Sequence, residues 1–280
     1  KTGEVNRATE SFGLAGGKGM NVAKILARAG HHVSLMHVLA GPNGDRMLDA
    51  CTALGILSLH AFAEGETRAA ITLVHEGIAT EVIEPFKVRE QYVAGSDSEE
   101  TLEATLLDSI DPEIEYDAVL VCGTLPAGMD PAFYSRLLER VRARLILWDS
   151  VAAFTPETAR RIDWLKVNAA EYATLAPLLE QSGAKPSLLI TDGPGKVRVE
   201  HRQAGGEYRL PVLDPIVSPI GAGDTVTANL IDGLLRMESP VAVAVTRALA
   251  CGMASCLSPL PAEWKPWDAD RLEKAIVWEH

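Results

Sequence analysis

Short apolar runs that alternate with helical segments constrain this chain more than any other feature. From Val33 onward, "HVSLMHVLA" reads as a strand and "NGDRMLDACTAL" as a helix. "YDAVLVCG" follows as a strand, then "DPAFYSRLLERVRA" as a helix with Asp130 as its N-cap and Pro131 in its first turn. "RLILWDS", "DWLKVN" and "SLLITDG" are further strands, separated by the helices "TPETARRI" and "AAEYATLAPLLE". In "YDAVLVCG" the apolar run is continuous and short, so this strand is predicted to be buried on both faces. Strand–helix alternation of this kind predicts an α/β fold: a mostly parallel, doubly wound sheet sandwiched by helices.

Two segments break that rhythm. "TRAAITLVHEGIATEVIEP" has two β-like runs around Glu76-Gly77, which is turn chemistry. We read it as a hairpin that projects from the sheet as a small β lid, with residues near 1 to 13 pairing alongside. "KVRVEHRQAGGEYRLPV" is a second hairpin, turning at Ala204-Gly205-Gly206. The domain boundaries that follow are 14–62 and 86–280 for the α/β core, and 1–13 and 63–85 for the lid. After the second hairpin, "GAGDTVTANLIDGLLRM" and "SPVAVAVTRALACGMASCLS" are helices rich in small residues. They are expected to pack closely against the sheet or each other.

Composition excludes several functions. A formal net charge of -12 disfavours nucleic acid and anionic membranes as partners. No apolar run approaches the ~18 residues of a membrane span. Cys51, Cys122, Cys251 and Cys256 form no Cys-x-x-Cys pair and sit among apolar or small residues. They read as reduced thiols of a cytoplasmic protein, not as a zinc site. The chain opens Lys1-Thr2-Gly3 without methionine, and a preceding native segment is expected.

Four glycine-rich or polar stretches carry the chemistry. "GLAGGKGMNVAKILARAG" puts glycines and Lys18 before a helix. It fails as a nucleotide phosphate loop: Phe12 stands where the first glycine is required, and Gly19 where Ser or Thr should hold Mg²⁺. What remains is a backbone that can approach a ligand closely, with Lys18 for an anion and Asn21 for directional hydrogen bonds. A tight turn that packs its helix explains the glycines equally well. In "SPIGAGDTVTANLIDGLL", Gly221, Ala222 and Gly223 let amides converge at a helix start, where negative charge is favoured. Asp224 stands beside that point and can accept a hydroxyl proton, or simply cap the helix. Asn168 and Glu171 in "LKVNAAEY" can orient a hydrated Mg²⁺ or form a capping box. Gly193 and Gly195 in "ITDGPGKVRV" form a turn at the carboxyl edge of the sheet, where ligands bind in open α/β folds, and a plain hairpin turn explains them as well or better.

These stretches, in this order, resemble the ribokinase-like, or PfkB, family of sugar kinases. "GGKGMNVA" and "SPIGAGDTVTAN" are similar to its two signatures, and "GTLPAGMDPAFY" to an intermediate segment. "GEVNRA" with "AGGKGMNVAKILARAG" looks most like the 1-phosphofructokinase and tagatose-6-phosphate kinase branch. The resemblance implies a small-molecule sugar phosphate and ATP as ligands, Mg²⁺ as cofactor, and room for a monovalent cation. It assigns Asp224 as base, Gly221, Ala222 and Gly223 as the anion hole, and Gly17 and Asn21 to sugar hydroxyls. Lys18, Arg68 and Arg7 become candidates for the substrate's existing phosphate. Asn168 and Glu171 would organise Mg²⁺ and phosphate through water, and Gly193 and Gly195 would lie near the nucleotide. A homodimer through the lid is also expected. Departures from the pattern are Val167 in place of the usual Pro, Ser218 in place of the common Thr, and Ala69-Ala70 after Arg68 where the family carries Asn, the last of which bears on the sugar. The rival readings are a non-catalytic binder on the same fold, a kinase of an unphosphorylated sugar or nucleoside, and an NAD(P)-linked oxidoreductase. The last lacks the dinucleotide fingerprint.

Overall fold

The computed structural model describes residues 5, 7–86, 101–236 and 240–279. Its first half runs α1 (Lys18–Arg28), β1 (Ser34–Leu39), α2 (Gly41–Ala53), β2 (Leu57–Phe62), β3 (Ala70–His75), β4 (Ile78–Ile83), α3 (Leu102–Asp108), β5 (Glu115–Tyr116), β6 (Val119–Cys122) and α4 (Phe133–Arg140). It continues through β7 (Arg142–Ala143), β8 (Ile146–Asp149), α5 (Pro156–Ala159), β9 (Trp164–Asn168), α6 (Ala169–Ser182), β10 (Ser187–Asp192), β11 (Lys196–Glu200) and β12 (Gly206–Arg209). α7 (Ala222–Leu235), α8 (Val241–Ser255), α9 (Pro266–Glu273) and β13 (Val277–Glu279) complete it.

The main sheet has seven strands in the order β13-β12-β11-β10-β9-β8-β6. It is mixed. β6, β8, β9 and β10 are parallel, as the strand–helix alternation predicts. β11 and β12, the second hairpin, and β13 add an antiparallel half. β1 and β2 pair in parallel as a separate two-stranded sheet.

The strand period of two sorts neighbouring side chains to opposite faces. On β8, Leu147 joins the core under α7 and α8, whereas Trp148 joins the core under α4 and α6. β9 divides likewise, with Trp164 on the first side and Leu165 and Val167 on the other. All five are nearly or fully buried, which is why these strands read as mainly apolar, with Lys166 the charged residue within β9. The same alternation carries the last residue of β8, Asp149, and the middle of β9, Lys166, toward α7.

The lid hairpin forms as its turn residues require. β3 and β4 pair antiparallel across Glu76 and Gly77, both in the left-handed region at φ 50 and 74. Its tip rests on the loop before α7, where a side chain on Gly77 would come within 2.5 Å of the Ile216 carbonyl oxygen. The expected pairing of residues near 1 to 13 does not occur among the described residues: 5 and 7–13 carry no strand. This segment lacks the run of β-branched residues that would favour a third strand. Asp130 also differs from expectation. It accepts from the Ala132 amide at 2.9 Å and holds the turn before α4, whose N-cap is Ala132.

Candidate active site

Four elements bring the polar residues together: the starts of α1 and α7 and the carboxyl ends of β8 and β9. Gly221 adopts φ 78 at the N-cap of α7, a conformation that L side chains rarely adopt. A Cβ there would also meet the Ala262 amide nitrogen at 2.7 Å. The Ala222 amide donates to the Pro219 carbonyl oxygen at 3.3 Å, and the Gly223 amide belongs to the first turn, whose N–H groups have no partner within the helix. Asp224 follows in the first turn, 7% exposed. Its Oδ2 accepts a hydrogen bond from Asn21 Nδ2 at 2.7 Å. Burial raises the Asp224 pKa above the ordinary carboxylate value. The Asn21 hydrogen bond opposes that rise, the neighbouring charge of Asp149 adds to it, and Lys166 and Lys18 counter it. The result is a carboxylate more basic than usual at a cluster of amides. Asn21 Oδ1 is buried without a partner and remains able to accept from a ligand hydroxyl.

Lys18 opens α1 and donates to Asp149 Oδ1 at 2.8 Å, with 35% of its side chain still exposed. Burial works against its charge, but Asp149 more than compensates and the pKa is raised. Asn168 and Glu171 form a reciprocal capping box: each backbone N–H donates to the other side chain at 2.8 Å. The structural reading of this pair therefore holds, and it leaves the Asn168 amide nitrogen available. Arg68, in the segment leading into the lid, donates to Thr124 Oγ1 at 3.1 Å.

A cleft of about 2550 Å³ joins these groups. Gly17, Lys18, Asn21, Arg68, Asn168, Glu171, Gly221, Gly223 and Asp224 all line it. Arg7, Ala222, Gly193 and Gly195 do not. Gly193 and Gly195 make the exposed turn between β10 and β11, with φ 62 at Gly193. The sequence reading missed three polar residues beneath the cleft: Asp149, Lys166 and Thr227. The signal was a charge inside an apolar strand, since ionised residues are rarely buried without a partner.

The sequence pattern of pfkB family carbohydrate kinases matches residues 2–267. This chain belongs to the pfkB family. Like other pfkB carbohydrate kinases it is a phosphotransferase, and the family implies ATP as its co-substrate. Solved structures share the fold. The tetrameric inhibited form of phosphofructokinase-2 from Escherichia coli is 17% identical, with a TM-score of 0.75, over 98% of this pfkB chain and 92% of its own. The same enzyme in complex with potassium is 17% identical, with a TM-score of 0.74, over 93% and 87%. A ribokinase from Thermotoga maritima is 17% identical, with a TM-score of 0.69, over 98% and 92%.

No group of three or more His, Cys, Asp or Glu that can hold a metal ion occurs among the described residues. Mg²⁺ fits such a site if it keeps its waters and is held through one carboxylate and the substrate phosphates. Glu171 offers that carboxylate, with one oxygen in the capping box.

Proposed function

We propose that this pfkB kinase transfers the γ-phosphoryl group of ATP to a hydroxyl of a phosphorylated ketohexose: fructose 1-phosphate, tagatose 6-phosphate or fructose 6-phosphate. The observation that carries the reading is the burial of Asp224 in the first turn of α7, beside the amides of Gly221, Ala222 and Gly223, at the wall of a cleft that also holds Lys18, Asn21 and Arg68. Asp224 accepts the proton of the attacking hydroxyl, and its raised pKa strengthens it as a base. Asn21 fixes the carboxylate through its amide nitrogen and offers Oδ1 to the sugar. The α7 amides face the negative charge that develops on the phosphoryl group. Lys18 and Arg68 supply cations for a substrate that already carries a phosphate, with Arg7 as a third candidate outside the cleft. Asn168 and the Gly193–Gly195 turn hold the nucleotide. Mg²⁺, held by Glu171 through water, neutralises phosphate charge when bound. Lid residues 63–85 close over the sugar and exclude water, which competes as acceptor.

A kinase of an unphosphorylated sugar is the second reading. It is favoured by the engagement of Lys18 with Asp149, which leaves Arg68 as the freer cation in the cleft. An ADP-release assay over the three ketohexose phosphates and the matching free sugars decides between them. Turnover confined to free sugars overturns the first reading. Asp224→Asn should lower the rate on the best acceptor at least ~10²-fold, by analogy with the cost of losing one such catalytic contact. An undiminished rate removes Asp224 as the base.

A further inference from the structure

Beneath Asp224 lies a second carboxylate with no part in the mechanism above. Asp149 ends β8 and is 1% exposed. Both of its oxygens are engaged. Oδ1 accepts from Lys18 Nζ at 2.8 Å, and Oδ2 accepts from Lys166 Nζ at 3.0 Å and from Thr227 Oγ1 at 2.7 Å. The three partners come from α1, β9 and α7, so one side chain ties together the elements that build the cleft. Thr227 lies one turn beyond Asp224 on α7. Lys166 is itself buried, and its ammonium lies against the start of that helix: a Cβ on Gly223 would stand 3.1 Å from Nζ. Glycine at 223 thus leaves the space that Lys166 occupies. Burial alone would push the Asp149 carboxyl up, but Lys166 and Lys18 hold it below the usual carboxylate range.

We infer that Asp149 is a positioning residue for phosphoryl transfer, acting through Lys18 and Lys166, whose ammonium groups it holds beside the N-terminus of α7. The inference rests on the assignment of Asp224 and the α7 amides above. Its physical content is a charge balance. Two lysines face two aspartates while Asp224 is ionised. When Asp224 takes the hydroxyl proton, the cluster is left with one excess positive charge, close to where the phosphoryl group is moving. Without Asp149, Lys18 is drawn toward water and buried Lys166 loses the carboxylate it donates to. Misplacement of such groups by ~1 Å can cost ~10²-fold in rate.

Four variants test this on the best acceptor, with thermal melts to check folding: Asp149→Asn, Thr227→Val, Thr227→Ser and Asp224→Asn. Asp149→Asn is expected to lower kcat by ~10²-fold while KM for ATP changes far less. Thr227→Val, which removes one hydrogen bond to Oδ2 and no charge, lowers kcat in the same direction. Thr227→Ser, which keeps the hydroxyl, restores it. A kcat near wild type in folded Asp149→Asn overturns the inference. Should Asp149→Asn fail to fold, the Thr227 pair decides: equal rates for the Val and Ser variants overturn it. An inactive Asp224→Asn beside a fully active Asp149→Asn sinks only the present inference, whereas a fully active Asp224→Asn sinks the site reading itself.

Discussion

Asp224 is held in a state that costs the fold stability. Its pKa is raised chiefly by burial, so the native state binds the proton more tightly than the unfolded chain does. Ionised Asp224 therefore subtracts from stability at neutral pH, and that penalty disappears as pH falls through the raised pKa. Asp224→Asn should lose activity yet melt at the same or a higher temperature at pH 7, measured by calorimetry. With Asp224 as the proposed base, the same shift should place the acid limb of kcat/KM above the ordinary carboxylate range. Asn21→Ala removes the hydrogen bond that favours the charged form, so that limb should move to higher pH in a pH–rate profile. At this scale the sequence showed Asp224 plainly, because glycines and a carboxylate at a helix start form a local pattern. Asp149 and Lys166 were hidden in "RLILWDS" and "DWLKVN", where their neighbours report burial and nothing local reports a partner.

The contact between α7 and α8 decides where the α7 start sits. Small residues let the two helices approach: a Cβ on Gly233 would stand 2.7 Å from Ala244 Cβ. A Cβ on Gly252 would collide with Val226 Cγ2 and lie 3.1 Å from the Ala222 carbonyl oxygen. Gly233→Ala and Gly252→Ala should each destabilise the protein by about 1–3 kcal/mol in urea denaturation, through overpacking. Only Gly252→Ala presses on the first turn of α7, so it should also reduce kcat beyond the effect of Gly233→Ala. The small-residue character of both helices was legible, but whether they met each other or the sheet was not. They do both: Leu230 and Leu249 share a core with Leu147 and Leu189 of the sheet. The β3–β4 hairpin was legible because Glu76-Gly77 is turn chemistry flanked by β-branched runs.

The β3–β4 hairpin is where the molecule leaves an apolar face exposed. β3 and β4 form an isolated pair whose residues Ile71, Leu73, Ile78 and Val82 share one face, all largely exposed. A two-stranded ribbon is marginal in water by itself. A second copy of the chain covering that face would bury it, in keeping with the homodimer proposed from sequence. Leu73→Lys with Val82→Lys should then shift sedimentation toward the monomer and weaken activity through the lid; unchanged sedimentation argues against this face as the interface.

Periodicity and glycine placement, both local, were enough for the sequence by itself to determine an α/β fold with a β3–β4 hairpin and a glycine-rich helix start at Gly221. Only the tertiary structure decided which side chains meet there. Asn21 reaches Asp224 across 203 residues, and Lys18 reaches Asp149 across 131. Such pairings depend on strand order and helix packing, which no local pattern encodes. Alternation along a strand tells a residue which face it takes, but the partner waiting on that face is set by the fold.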